Sequence, residues 1–307
     1  MSPQVSYAYY PGCSLHASSA DYDASVVAVS RVLGIELAEV PDWTCCGSTP
    51  AHNIDSRLSA ALCARNLVQV RKMGRDQVTS PCPSCVANLR TADMKMAHKD
   101  FAESTNRLLD EPYTGGVTAK SFLQIVYEDI GPQALKELVR KPLAGLKVAA
   151  YYGCLTTRPT HVMAFDSEEN PVSMDKLLEA CGAKPLEFSF KTECCGASMA
   201  VPKKEAATTL SGKILELAEL IGAEAVVVAC PLCQMNLDLR RGQIAAATGQ
   251  YSPLPVFYFT QLIGLALGLS KEELGIAKLC VSPAKALEKM AAKTPPPEQP
   301  ERPAKEI

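Results

Sequence analysis

Two adjacent cysteines followed by glycine occur twice in this chain, in PDWTCCG ending at residue 47 and in KTECCG ending at residue 196. Each pair belongs to a longer series. The first half reads C-x31-CCG-x34-CPSC and the second reads C-x39-CCG-x33-CPLC. The flanks repeat as well: YAYYPGC matches AAYYGC, and SFLQIVYEDIG matches FTQLIGLALG. Five cysteines recurring in order within recurring surroundings mark a tandem duplication of a unit of roughly 145 residues. Any fold the unit adopts has to gather cysteines that lie far apart in sequence.

The coarse pattern shows how. VSYAYY is a short β-rich run leading to Cys13. Residues 17–34 carry helical spacing through Val26, Val29, Val32 and Leu33 and close at Gly34. IELAEV then reads as a strand leading to Cys45, residues 55–73 as a helix ending near Gly74, and QVTS as a weaker strand delivering Cys82. The second half repeats this with LKVAAYY before Cys154, PLEFSF before Cys194 and AEAVVVA before Cys230. The last is an unbroken apolar run, as in a strand covered on both faces. Alternating strands and helices predict an α/β fold of two tandem domains, each a small, mainly parallel sheet flanked by helices. The cysteines then follow strand ends, where open α/β sheets collect their ligands. The expected division is 1–143, 144–281 and a helical, proline-rich tail 282–307 whose end is expected to be disordered.

Composition narrows the chemistry. With a formal charge of −2 and one tryptophan, the chain has neither the basic field nor the stacking surfaces of a nucleic-acid binder. Its apolar runs are too short to span a bilayer, and no signal peptide is legible at MSPQVSYAYYPGC. The expected location is the cytoplasm, where thirteen cysteines are not a disulfide framework but a sign of metal or redox chemistry.

Three cysteines stand outside the repeat. Cys63, Cys181 and Cys280 lack partners at motif spacing and read as small buried hydrophobes. The ten repeated ones read as ligands. A structural zinc takes four ligands, as a rule in two CxxC-type pairs. Each half here offers five, two of them adjacent, which suits a multi-iron cluster better than one ion. Use of CPSC and CPLC as redox dithiols is an alternative, though it leaves the other cysteines idle. Gly47 and Gly196 permit a sharp turn after each pair and present N–H groups to sulfur. Pro83 and Pro231 fit the first turn of a helix, whose free N–H groups favour an anionic group.

On these motifs the chain resembles the CCG-domain family and, from residue 5 to about 268, the B subunits of heterodisulfide reductases. The resemblance implies that Cys13, Cys45, Cys46, Cys82 and Cys85 hold one noncubane 4Fe-4S cluster. It gives Cys154, Cys194, Cys195, Cys230 and Cys233 the second. It implies that a small disulfide lies between them and is cleaved with one electron from each, or that the reverse thiol or sulfane-sulfur oxidation occurs. The ten cysteines are thus the expected catalytic set, acting through the clusters. No ferredoxin motif Cx2Cx2Cx3CP occurs, so the implied electron source is a partner: a ferredoxin-like C subunit fed by a flavin and iron–sulfur A subunit. The alternative is an electron-transfer subunit of a flavin-dependent glycolate, lactate or glycerol-3-phosphate oxidation complex, without disulfide chemistry. The chain departs from the family pattern in its proline-rich tail.

Other residues carry weaker signals. His16, His52 and His161 follow motif cysteines closely, yet an ordinary loop histidine explains each. Lys203 and Lys204 follow the second CCG and could attract an anionic substrate group, or simply start a solvated helix. Tyr9, Tyr10, Tyr151 and Tyr152 precede the lone cysteines and are expected to pack the strand ends.

Overall fold

The computed structural model describes residues 5–293, the side chains of 49, 50 and 291–293 aside. The segment 294–307, for which disorder is expected, lies outside the described residues. The first half begins with β1 (Val5–Tyr9), α1 (Gly12–Leu15), α2 (Ala20–Leu33) and β2 (Ile35–Glu39). It continues through α3 (Ser48–Ile54), α4 (Ser56–Lys72), β3 (Gln77–Ser80), α5 (Pro83–Met96) and α6 (Lys99–Asn106). It closes with β4 (Thr118–Ser121), α7 (Phe122–Ile125) and α8 (Gly131–Leu138). The second half runs β5 (Lys147–Tyr151), α9 (Thr160–Met163), α10 (Ser173–Ala180), β6 (Lys184–Pro185), α11 (Lys204–Leu220) and β7 (Ala225–Val228). Then follow α12 (Pro231–Gln234), α13 (Arg241–Thr248), β8 (Val256–Tyr258), α14 (Phe259–Ala266) and α15 (Ala284–Lys293).

The strands form two separate four-stranded sheets, ordered β2-β1-β3-β4 and β6-β5-β7-β8, with every pairing parallel. The chain winds outward from β1 in one direction and then crosses to β3 in the other, so the switch point lies between β1 and β3. Its counterpart lies between β5 and β7. All four residues of β7 are buried, as its unbroken apolar run requires. α2 ends where Gly34 takes a left-handed conformation (φ 73°), a stop that glycine adopts without steric cost.

Three details differ from the sequence reading. The ladder takes only Lys184 and Pro185, so of PLEFSF just its first residue is paired. Leu186 N–H still donates to Val148 O at 2.9 Å, after which Phe188 turns into the core. Each sheet also has a fourth strand, TAKS in one and VFY in the other, too short or too polar to declare itself. Cys280, expected to be buried, is exposed. The buried Asp238 carboxylate accepts the Cys280 backbone N–H at 2.7 Å, which fixes the chain there and leaves the thiol outside. Cys63 and Cys181 are fully buried.

The halves pack through corresponding elements. α2 of the first lies on α14 of the second, while α10 of the second lies on α7 and α8 of the first. Tyr22 stacks on Tyr258 with centroids 3.9 Å apart and rings 3° from parallel. One turn on, Ser25 Oγ lies 2.7 Å from Thr260 Oγ1, both buried. Arg90 on α5 donates to Ala119 O at 2.5 Å and Gln124 Oε1 at 2.9 Å, and reaches across to the carbonyls of Val162 (3.2 Å) and Met163. As a result one apolar core runs from Tyr22, Val26 and Val29 into Phe259 and Ile263 without a break between the halves.

Candidate functional site

The switch points carry the cysteines. Cys13 follows β1 and Cys82 follows β3, and Cys154 and Cys230 follow β5 and β7 in the same way. The vicinal pairs arrive on the loops leaving the outer strands. In the first half Cys46, Cys82 and Cys85 are buried and Cys13 and Cys45 exposed; in the second Cys195, Cys230 and Cys233 are buried and Cys154 and Cys194 partly so. Cys46 Sγ lies 3.5 Å from Cys85 Sγ, Cys195 Sγ lies 3.5 Å from Cys233 Sγ, and Cys45 Sγ lies 3.9 Å from Cys13 Sγ. The second site is the more enclosed of the two.

Local backbone explains how the sulfurs approach. Each CxxC opens a helix rather than preceding one: Cys82 and Cys230 occupy the position before the first turn, and Pro83 and Pro231 lie in it, where a missing N–H is harmless. Gly47 and Gly196 turn the chain at φ 77° and 80°. Gly196 N–H then donates to Cys194 Sγ at 3.3 Å. The backbone N–H groups of Gly47, Ser48 and Ala197 serve Cys45, Cys46 and Cys195 in the same manner.

Several residues of the site escaped the sequence reading, although each leaves a repeated trace. Asn88 and Asn236 both stand three places beyond the CxxC, and their amides donate to Cys46 Sγ (3.6 Å) and Cys195 Sγ (3.8 Å). Asn236 also donates to Cys195 O at 2.9 Å. Gly12 and Gly153, immediately before the lone cysteines, leave space that a Cβ would take from Cys85 Sγ (3.0 Å) and Cys233 Sγ (2.9 Å). Tyr10 and Tyr151 donate to the carbonyls of Thr44 (2.7 Å) and Glu193 (2.6 Å), the residues ahead of each vicinal pair. Cys63 Sγ and Ser211 Oγ donate to Cys46 O (3.3 Å) and Cys195 O (2.9 Å), so the lone thiol does the work of a hydroxyl in the other half.

Negative charge collects at the pairs. Donation from Cys45 and Cys85 drives the Cys46 thiol well below its ordinary range against the opposing effect of burial. Donation from Cys233 does the same for Cys195, and donation from Cys154 for Cys194. The donors Cys45, Cys85, Cys154 and Cys233 are held up in turn by the bonds they give and by burial. Among the described residues no three His, Cys, Asp or Glu side chains close around a point as a preformed single-ion site would. Five soft donors, backbone N–H groups aimed at sulfur and one amide per site fit a multi-iron cluster better than a single zinc ion.

A cavity of about 70 Å³ opens on the second site, walled by its five cysteines with Tyr152, Leu155 and Leu232. Pro83 and Ser84, from inside the first half's CxxC, line it too. A larger cavity of about 380 Å³ adjoins it across Leu155, bordered by His52, Asn88 and Lys95. His52 is exposed and bonds Ser48 O at 3.0 Å. His16 is exposed too, 3.5 Å from Glu39 and edge-on to Trp43. His161 is exposed, and Lys203 and Lys204 stand exposed at the start of α11.

A doubled α/β fold that gathers five cysteines at the strand ends of each half defines a cysteine-rich tandem protein. The chain belongs to the CCG family, described as a cysteine-rich domain, which it matches over residues 7–90 and 148–238. It is 33% identical over 275 residues to the 8-methylmenaquinol:fumarate reductase membrane anchor subunit of Wolinella succinogenes, covering 89% of this chain and 96% of that one. It is 34% identical over 253 residues to the B subunit of the ferredoxin/F420H2-dependent CoB-CoM heterodisulfide reductase of Methanosarcina acetivorans, covering 80% and 83%. A protein of Archaeoglobus profundus described as like the heterodisulfide reductase B subunit is 28% identical over 290 residues, covering 91% and 95%. The crystal structure of a hypothetical protein from Helicobacter pylori shares the fold, with a TM-score of 0.74 at 14% identity over 92% of this chain and 53% of its own length. No helix among the described residues is long and apolar enough to cross a membrane.

Proposed function

We propose that the chain is the catalytic iron–sulfur subunit of a heterodisulfide reductase-like complex, working in the cytoplasm with a ferredoxin-like subunit and a flavin-containing one. Cys13, Cys45, Cys46, Cys82 and Cys85 would hold one noncubane 4Fe-4S cluster, and Cys154, Cys194, Cys195, Cys230 and Cys233 the other. When bound, the two clusters would supply one electron each. The net reaction is RSSR′ + 2e⁻ + 2H⁺ → RSH + R′SH, or its reverse. Pro83 and Ser84 lining the cavity of the second site carry this reading, because a cluster held there by its five cysteines would lie against the CxxC loop of the first half and bring the two one-electron donors together. Leu155, Leu232 and Pro83 keep the space apolar, and the N–H groups and amides around Cys46 and Cys195 balance charge on sulfur.

A second reading is favoured by the Wolinella relative, which is named as part of a fumarate reductase rather than a disulfide enzyme. In it the two centres only pass electrons between a flavoprotein and a further acceptor. Anaerobic isolation followed by iron, zinc and acid-labile sulfide analysis tests the cofactor: zinc without iron removes both readings. Adding a thiol under oxidising conditions then separates them. A perturbed paramagnetic signal supports disulfide chemistry, and an unchanged one supports simple transfer.

A further inference from the structure

Tyr22 lies on α2 in the first half, fully buried, with its ring flat against Tyr258 of the second half. Its hydroxyl stands 3.1 Å from Ala229 O and 3.4 Å from Pro81 O. These carbonyls correspond in the duplication, since each belongs to the residue just before a CxxC motif. A single phenolic oxygen therefore touches both cysteine loops, and Ala229, the nearer acceptor, takes the stronger share of its one proton. The Ala229 carbonyl forms one peptide group with the Cys230 N–H, so polarising the oxygen makes that N–H a better donor towards negative charge. Stacking needs only the ring. The hydroxyl is a separate feature, one that would cost about 1–3 kcal/mol if buried without a partner.

We propose that Tyr22 is a positioning residue joining the two cysteine sites: its shared hydroxyl fixes their spacing and raises the reduction potential of the centre held by Cys230. The inference rests on the reading that each site holds an iron–sulfur cluster, whose potential responds to hydrogen bonds and nearby dipoles. The test compares wild type with Tyr22→Phe, which keeps the ring and removes only the donor. Both are loaded anaerobically, assayed for iron and sulfide, and titrated under electron paramagnetic resonance. With both centres present, Tyr22→Phe should shift the partition of one electron about tenfold away from the Cys230 centre, about 59 mV for a one-electron couple. The magnetic interaction between the two reduced centres should change with it. Ser25→Ala serves as the control: from the same helix as Tyr22 it breaks the buried bond across to Thr260 and the donation to Tyr22 O at 2.9 Å, and leaves the Tyr22 hydroxyl in place. It should lower the unfolding midpoint and leave both potentials in place.

A loaded Tyr22→Phe protein with wild-type potentials and spectra overturns the inference alone. So does a Ser25→Ala protein that shifts them equally, since loosening the interface would then suffice. Wild-type protein without acid-labile sulfide overturns the cluster reading and this inference with it. If Tyr22→Phe does not load, a ring-fluorinated tyrosine at position 22 supplies a stronger donor and should move the Cys230 centre's potential upward; no movement counts against the proposal.

Discussion

Gly153 and Gly12 show how little room the sulfurs have. A Cβ at Gly153 would stand 2.9 Å from Cys233 Sγ, at a backbone φ of +70° that L side chains rarely adopt. Gly153→Ala should cost about 1–2 kcal/mol for the left-handed backbone alone. It should also displace Cys233, so that iron bound per chain after anaerobic reconstitution falls towards half, with the loss at the second site. Full iron content with an unchanged melting curve would show that the pocket yields. Cys181 gives a prediction about pH. Burial pushes its thiol from an ordinary 9.0 up to about 12. The unfolded chain therefore loses this proton first, and stability falls as pH rises from about 9 to about 12. The full effect is up to about 4 kcal/mol at 1.36 kcal/mol per unit. Cys181→Val should flatten that alkaline limb in denaturant titrations, and an equally steep limb would place the titration elsewhere.

Elements that bury a face were legible; elements defined by a partner strand were not. α2 announced itself through Val26, Val29 and Leu33 with Gly34 as its stop, but nothing local to it says that this face meets α14. Val26 is wholly buried in the shared core. Val26→Ala should lower stability by about 1–3 kcal/mol through lost apolar burial, read as a lower denaturation midpoint at constant slope. A normal midpoint would mean that the interface repacks. TAKS and VFY became strands only because β3 and β7 offered open edges. PLEFSF failed as a strand because its aromatic residues found a core to turn into.

At the scale of the molecule, the linker near residue 143 does not hang free. Leu143 is buried and its N–H donates to Cys181 O at 2.9 Å, while Arg140 and Lys141 bond Ala266 O. We propose the division at 143 as a boundary of the duplication rather than of folding. Residues 1–143 expressed alone should lack a cooperative thermal transition, because α2 loses α14 and α7 and α8 lose α10. The full chain should unfold in a single step. An independently folded fragment, shown by near-ultraviolet circular dichroism and a sharp melt, would overturn that expectation.

The sequence alone determined the duplication and the ten sulfurs to follow, through the cysteine spacing, and the α/β class, through the alternation of strand and helix patterns, which sets the cysteines at strand ends. It also held traces that only comparison of the halves makes visible: an asparagine after each CxxC, a glycine before each lone cysteine, a tyrosine before that. What the tertiary structure alone decided is how the two sites face one another. Pro83 and Ser84 at the second cavity, and the Tyr22 hydroxyl between Pro81 and Ala229, are contacts between surfaces folded from different halves. Local pattern encodes which face of an element is buried; the docking of one half on the other follows from the shape of both together.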